Sequence, residues 1–387
     1  MAFTSVENLK SDITIILKKQ GYVVKPNGFF ALKNDGQEVK RKAHKLAKAE
    51  RAGKNEQFLM DKIPLVEKYI INGSSLDVSK IAPELIEVES GSNEENFFRW
   101  WNIVWWSLPY EHAYGRQMRF IIWDKYHNAP IGLIGLQSPI LSWKARDNFL
   151  GIKPEKRDFW INQSLSAQRV GALPPYNDIR GGKLVALLMT SDIIRKKFQK
   201  KYKDKKTLLL KRKLPSNLLF ITTTGAYGKS SVYNRLKFQT EKVSEFIGYT
   251  QGSGTFHIPN ALYEDLVLYL KKRGFDTERG FGNGPSRKLR LIDQALQLLG
   301  FASGITHGIK RAVYLFPMAS NLKEVIQSNE RPNWYHRDIV DMTQFWKEHW
   351  AMPHASKDKT YQEFSKEEFI KQTLKDFKKY KNLCKNI

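Results

Sequence analysis

The segment from Gly171 to Leu188 constrains the fold of this chain more than any other part of the sequence. It places two prolines, an Asn-Asp pair and the adjacent glycines Gly181 and Gly182 directly before an amphipathic stretch. Residues of this kind end a strand in a turn, and the apolar spacing that follows predicts a helix over 182–201. Because the first N–H groups of a helix are unpaired and its dipole favours negative charge, such a turn is suited to hold a phosphate group.

A second strand, turn and helix are predicted further along the chain. Leu218 to Thr222 is a short apolar strand, the turn contains Gly225 and Gly228, and Lys229 to Lys237 is predicted to be a helix. Strands that alternate with helices in this way predict an α/β layer whose sheet contains some parallel pairing.

Gly228, Lys229 and Ser230 resemble the end of a nucleotide-hydrolysing P-loop. That motif needs a glycine at the position occupied here by Thr223, and no acidic partner for magnesium lies nearby. ATP hydrolysis is therefore not expected. Two interpretations of this segment remain. Its backbone and Lys229 contact a phosphate, or it is a turn before a helix that is capped by Ser230 or Ser231.

The rest of the chain predicts three parts. Residues 1–90 form a mainly helical, basic N-terminal region, 91–330 form an α/β (α+β) core with a Gly-rich basic second half, and 331–387 form a charged helical tail. The expected further elements are helices at 5–19, 259–274, 287–299 and 365–385, a hairpin at 22–32, and strands at 118–123, 129–136, 168–173 and 312–317. The basic helix at 39–51 is read either as a solvated face or as a nucleic-acid contact.

The aromatic run from Phe97 to Trp106 contains four tryptophans. At this spacing the rings cover more than one face of a helix, so burial between layers is favoured over a base-stacking platform.

Charge narrows the class of partner. The formal net charge is +25 and the sequence pI is about 9.8, so polyanions such as DNA or RNA are attracted. No apolar run is long enough for a membrane helix, the first residues do not resemble a signal peptide, and the single cysteine excludes disulfide scaffolds and Cys-ligated metal sites. We expect a cytoplasmic protein with no membrane partner and no metal site.

Basic residues next to the glycine-rich turns are the best-supported functional set, because Arg and Lys beside exposed backbone amides suit phosphodiester contacts. The predicted nucleic-acid-binding residues are Arg169, Arg180, Lys183, Lys229, Ser230, Arg235, Arg287, Arg290, Lys310 and Arg311. Arg279 and Lys288 lie in the same later cluster.

The sequence contains no complete set of residues that would define a catalytic site. Tyr227, His257 and His307 are the candidates for the centre of an enzyme that cuts or modifies DNA. Both histidines sit in turn-like, Gly-rich settings, where they are candidates for proton transfer or phosphate contact. A local hydrogen-bonding role is the alternative for both histidines.

The turn Arg180, Gly181, Gly182, Lys183 and its flanking strand and helix resemble the acyl-CoA-binding core of acetyltransferases of the GNAT superfamily. Val232 to Phe238 is similar to the Asn- and Tyr-containing segment that closes that fold. The resemblance implies a central mixed sheet flanked by helices and a cofactor site at Arg180 to Lys183. The turn lacks the usual alternating glycines, so the identity of any cofactor stays unknown.

Blocks spread over roughly residues 70–325 resemble the DruA-like proteins of the Druantia anti-phage systems. They are found at 86–91, 114–120, 130–136, 145–151, 173–177, 181–188, 228–236 and 307–311. The resemblance implies a bacterial defence context and other Druantia proteins as partners, including a helicase-like one. It transfers no catalytic residue.

The sequence therefore leaves three functions open. The first is a DNA-binding component of an anti-phage system that contacts phosphates through Gly-rich turns and basic helices. The second is a transferase that uses acyl-CoA or another nucleotide cofactor, and the third is an enzyme that cuts or modifies DNA.

Overall fold

The computed structural model describes residues 5–106, 108, 115–207, 211–278 and 286–385. Helices occupy most of the N-terminal and C-terminal regions and cover both faces of a central sheet. The helices within the described ranges are α1 Val6–Lys19, α2 Gln37–Lys54, α3 Glu56–Asp61, α4 Ile63–Glu67, α5 Asn93–Val104, α6 Lys144–Leu150, α7 Arg157–Ile161, α8 Gly181–Leu188, α9 Asp192–Tyr202, α10 Asn260–Lys272, α11 Arg287–Leu298, α12 Leu322–Ser328, α13 Ile339–Trp346, α14 Met352–Lys357 and α15 Lys366–Lys385.

The described strands form one large sheet and two short hairpins. They are β1 Tyr22–Val24, β2 Phe30–Leu32, β3 Pro83–Glu87, β4 Gln117–Asp124, β5 Ala129–Gln137, β6 Ser164–Ala172, β7 Phe220–Thr224, β8 Lys237–Phe238, β9 Glu241–Lys242, β10 Glu245–Tyr249 and β11 Ala312–Pro317. The large sheet has seven strands in the order β10-β11-β7-β6-β5-β4-β3. Neighbours in it are antiparallel, except that β6 and β7 run parallel. The predicted mixed sheet flanked by helices, with helical terminal regions, is confirmed.

Strands β6 and β7 pair only over their first residues. Their register joins Ser164 to Phe220 and ends where Ser166 meets Thr222. One further contact, from the Thr223 hydroxyl to the Ala167 carbonyl at 2.8 Å, closes the shared ladder. Beyond it β6 continues on β5 and β7 continues on β11, so the two halves of the sheet separate and leave a gap at this edge.

Glycines in β5 let helices approach the sheet from both sides. A Cβ on Gly132 would lie 2.5 Å from Val185 Cγ2 of α8, and one on Gly135 would lie 3.3 Å from Phe98 Cζ of α5. The first distance is shorter than real Cβ contacts allow. The apolar run of β5 is therefore buried on both faces, as a central strand between two helix layers should be.

The tryptophan run is mainly core, as the sequence predicts. Trp100 and Trp101 on α5 are fully buried, and Trp101 stacks on Phe369 of α15 at 5.4 Å between ring centroids. The basic helix α2 also has a structural role at the end of α5. Lys48 Nζ donates to the Val104 carbonyl at 2.7 Å, and Arg51 Nη2 donates to the Asn102 carbonyl at 2.8 Å, where cations are favoured by the helix dipole.

Two helix predictions are wrong. The expected helix from Lys229 to Lys237 is a turn over 231–235 followed by β8, with Arg235 in the left-handed region at φ 63°; Ser230 and Ser231 therefore cap no helix. The expected helix over 182–201 is two helices, because Ser191 is extended at ψ 153° and starts α9 after α8 has ended.

None of the helices in the described ranges is both long and apolar enough to cross a bilayer.

Candidate functional site

The gap between β6 and β7 opens into a cavity of about 1190 Å³. Its walls come from the end of β5 and the segment after it, from 166–170 of β6, from β7 and the glycine turn that follows, and from β10. The floor is formed by 250–256 and by 307–311. Because parallel strands end at the same edge of a sheet, the loops after β6 and β7 meet where the sheet divides.

Every charged side chain among the described residues that line this cavity is basic. Lys144, Arg169 and Arg311 lie in the wall, and the described lining contains no aspartate or glutamate. Without a carboxylate to offset them, these cations produce a positive potential that a low-dielectric cavity strengthens. The cavity is therefore suited to an anion.

Arg169 is positioned by the layer between β6 and α5. The side chain is only 5% exposed, and it donates a hydrogen bond from Nε to the Asn102 side-chain oxygen and one from Nη1 to the Gln168 carbonyl at 2.7 Å. Both acceptors are neutral, so they orient the guanidinium without cancelling its charge.

Arg311 enters the floor beside a group of rings. Its Nη2 lies 3.2 Å from His44 Nε2, the His44 ring is 4.0 Å from that of Phe256, and Phe256 is 4.6 Å from His307. Burial and then the neighbouring Arg311 lower the pKa of His44 well below its ordinary value, and the same two causes lower the pKa of His307 to about 4. Both imidazoles are neutral at neutral pH, so the positive charge of the floor belongs to Arg311.

The cavity also has aromatic walls. Trp106, Trp143, Tyr233, Tyr249 and Phe256 line it, from elements that are distant in the sequence. Aromatic faces and guanidinium groups together match a ligand that has both planar rings and phosphate.

The structure brings together part of the predicted basic set. Arg169, Ser230 and Arg311 line the cavity, and Lys229 precedes Ser230 with its ammonium group 5.5 Å from the centre of the Phe246 ring. The backbone N–H of Ser230 donates to the Tyr314 hydroxyl at 2.9 Å, which fixes the turn.

The turn from Arg180 to Lys183 lies beside the cavity but directs its cations elsewhere. Arg180 is exposed in the left-handed region at φ 63°, its carbonyl accepts from Trp346 Nε1 at 3.1 Å, and Lys183 Nζ lies 4.8 Å from the Trp350 ring centre. Gly182 borders the cavity wall, since a Cβ there would lie 3.3 Å from Val232 Cγ2.

The remaining predicted cations are not in the cavity wall. Arg235 is exposed in the turn before β8, and Lys310 is exposed next to Arg311. On α11, Arg287 pairs with Glu278 at 3.5 Å and Arg290 donates to the Asp276 carbonyl at 3.4 Å. Arg279 lies outside the described residues.

The three catalytic candidates lie around the floor. His307 lines the cavity, and its Nδ1 accepts from the Ile309 N–H at 3.1 Å, which leaves the proton on Nε2. His257 is fully buried behind it, where burial first lowers its pKa to about 3. Tyr227 is half-buried with its ring 6.1 Å from that of His44. The His307 ring therefore already has backbone hydrogen-bond partners, at Ile309 and at Ser253.

Sequence reasoning missed Lys144 and Trp143. Both follow β5 in a segment without a glycine turn or a basic cluster, so no local pattern marks them.

In the described part of the chain, no group of three or more His, Cys, Asp or Glu side chains is arranged to hold a metal ion.

Comparison with known proteins gives one family. The family model described as Druantia protein DruA matches residues 33–328. The chain is similar to a protein named Druantia protein DruA from Escherichia coli (strain UMEA 4076-1), with 34% identity over 325 residues, which cover 83% of this chain and 80% of that protein. No solved structure matches the chain, so the likeness to acetyltransferases stays a prediction.

Proposed function

Because the chain belongs to the DruA family of Druantia proteins, we propose that it is a DNA-binding component of a Druantia anti-phage defence system. The observation that carries the DNA-binding part is the basic cavity at the divided sheet edge, with Lys144, Arg169 and Arg311 in its wall and no carboxylate in its described lining. It acts in the cytoplasm together with other Druantia proteins, including a helicase-like partner.

Charge favours DNA over a small anion as the partner. The net charge of +25 is much larger than the charge required to bind one small anion in a cavity. In addition, Lys229 lies on the exposed turn next to the cavity wall, where it can contact a longer polyanion. A polyanion that touches several such cations releases counterions when it binds, which stabilises the complex at low salt. Phosphates of the strand outside the cavity would contact Lys144 and Lys229, while Arg169 and Arg311 act inside it.

The test is a titration of a labelled duplex by fluorescence anisotropy. We expect the affinity to fall by at least about tenfold between about 50 and 200 mM salt, as a complex with several phosphate contacts does. Lys144→Glu places a carboxylate at the cavity wall, and we expect it to weaken binding about tenfold, which corresponds to about 1.4 kcal/mol.

Lys375→Glu is the matched control, because Lys375 is an exposed lysine on α15 that does not line the cavity. It changes the net charge by the same amount. Equal losses in the two variants, or an affinity that barely depends on salt, would contradict the proposal.

One observation favours the second candidate, a transferase that uses acyl-CoA or another nucleotide cofactor. The start of α8 adjoins the cavity through the contact between Gly182 and Val232, so a pyrophosphate at Arg180 to Lys183 would place the rest of a cofactor near the gap. A rise in melting temperature with acetyl-CoA that is lost in Gly182→Asp would support it.

A further inference from the structure

The segment between β5 and α6 carries two aliphatic side chains into solvent. Ile140 is 61% exposed and Leu141 is 53% exposed, and Ile140 also lines the cavity. The two side chains adjoin each other, so together they form a small apolar surface. Their position places an apolar tip beside the basic cavity.

A buried ion pair holds this tip in place. Arg146 is fully buried, and it donates from Nη1 to the Ile140 carbonyl at 2.6 Å and from Nη2 to the Leu141 carbonyl at 2.9 Å. Its Nε donates to Asp147 Oδ1 at 2.8 Å, and Asp147 Oδ2 accepts from the Trp143 N–H at 3.2 Å. The backbone of 140–143 is therefore fixed at three points, so the tip is a rigid projection.

The surroundings identify what covers the tip. Next to it lie the Lys144 side chain and the aromatic rings of Trp143 and Tyr249, which line the cavity. An apolar protein surface would bury the Lys144 ammonium group without satisfying its charge. Duplex DNA instead offers phosphates to the cations and stacked bases to the aliphatic tip.

We propose that Ile140 and Leu141 form a wedge that enters the base stack of duplex DNA, and that the cavity receives the single nucleotide displaced by it. The inference rests on the proposed DNA binding and specifies how the cavity is used. Proteins that bend or open DNA insert aliphatic side chains of this kind between base steps. The cavity volume of about 1190 Å³ is ample for one nucleotide.

The displaced nucleotide would meet two kinds of group. Its base has planar faces that stack on Tyr249 and on Phe256, and its phosphate is an anion that meets Arg169 and Arg311 inside the cavity. None of these contacts requires a particular base, so we expect little sequence preference.

The energetic signature of such a wedge is a preference for weakened base pairs. Removing a base from the stack costs a few kcal/mol, and the cost is smallest for a mismatched base. We expect the protein to bind a duplex with one central T·T mismatch about tenfold more tightly than the fully paired duplex of the same length. The measured quantity is the mismatch ratio, which is the affinity for the mismatched duplex divided by the affinity for the fully paired duplex.

Two variants separate the wedge from the cavity. Ile140→Ala with Leu141→Ala removes exposed side chains and should leave the fold intact, and Ala226→Trp fills part of the cavity from an exposed position in its lining. We expect both to bring the mismatch ratio close to one while affinity for the paired duplex changes by less than about threefold. Val340→Ala, at an exposed position on α13 outside the cavity lining, should keep the wild-type ratio.

Each other outcome overturns a defined part of the account. Tight binding with a mismatch ratio of one in the wild type overturns the wedge and leaves DNA binding standing. A ratio unchanged by the Ala pair removes the wedge, and one unchanged by Ala226→Trp removes the cavity. Absence of DNA binding overturns the proposed function as well.

A free nucleotide cofactor is the other ligand whose chemistry matches the cavity. Deoxynucleoside monophosphates and acetyl-CoA are added separately in a thermal-shift assay and as competitors of the duplex. Stabilisation by acetyl-CoA with displacement of the duplex would assign the cavity to a cofactor and overturn the inference. Failure of both to compete at millimolar concentration supports a site that needs the connected strand.

Discussion

Replacing Arg146 by methionine is expected to destabilise the protein by about 3–4 kcal/mol. The guanidinium is fully buried and makes charge-assisted hydrogen bonds to two carbonyls and to Asp147. Removing one partner of a buried ion pair costs about 3–5 kcal/mol. The expected loss of stability is near the lower end of this range for two reasons. Arg157 still lies 3.0 Å from Asp147 Oδ2, and methionine preserves the apolar part of the arginine side chain.

The assay is unfolding in urea followed by tryptophan fluorescence, with Arg157→Met as the control. Arg157 is more exposed than Arg146, so its loss should cost only about 1 kcal/mol. Because Arg146 also holds the carbonyls of Ile140 and Leu141, Arg146→Met should reduce the mismatch ratio under conditions where the variant is folded. A cost below about 1 kcal/mol for Arg146→Met, or a ratio equal to that of the wild type, would refute the reasoning.

Two further predictions concern pH and backbone packing. Burial lowers the pKa of His257 to about 3 and of His307 to about 4, so the unfolded chain binds more protons than the folded one below about pH 6.5. The free energy of unfolding should therefore fall as pH decreases through this window, by about 2 kcal/mol per histidine at pH 5, and His257→Phe should flatten the dependence measured by urea unfolding. Gly181→Ala should destabilise the fold by more than about 2 kcal/mol, because its Cβ would lie 2.4 Å from the Tyr176 carbonyl oxygen. Gly182→Ala should change the melting temperature little, because its Cβ would lie 3.3 Å from the Val232 side chain. Equal shifts of the melting temperature in the two variants would contradict this packing.

Elements with their own local signals could be predicted from the sequence. Ser5 caps α1 through the Asn8 N–H at 3.1 Å, α10 is followed by Gly274 in the left-handed region, and β11 occupies the predicted 312–317. In each case the residues that end the element, or their apolar periodicity, lie within the element or next to it. These three elements could therefore be predicted without knowledge of their tertiary contacts.

The segment 229–237 shows why other elements could not be predicted. Val232, Tyr233 and Leu236 have a spacing that a helix would also produce, but they pack on the core from a turn. The Tyr233 carbonyl accepts from the Ser244 hydroxyl, and Val243 N–H donates to the Leu236 carbonyl at 3.0 Å. Bonds to residues beyond the segment replace those of a helix, and the local pattern contains no sign of them.

The cavity depends still more on long-range contacts. The sequence identified Arg169, Ser230 and Arg311 by their proximity to glycine turns, but the cavity also needs Lys144 and Trp143. These residues come from segments far apart in the chain, and the divided edge between β6 and β7 brings them together. A pattern read along the chain reports neighbours in sequence, so the composition of such a wall becomes visible only in the folded protein.

Cross-linking a duplex that carries 5-iodouracil at a central T·T mismatch tests the central claim most directly. After irradiation and digestion, mass spectrometry identifies the peptide attached to the displaced base. We expect attachment to the aromatic residues of the cavity, Trp143, Tyr249 or Phe256, and loss of this attachment in Ala226→Trp. Efficient attachment at sites outside the cavity, such as α15, with none in its lining would contradict the account.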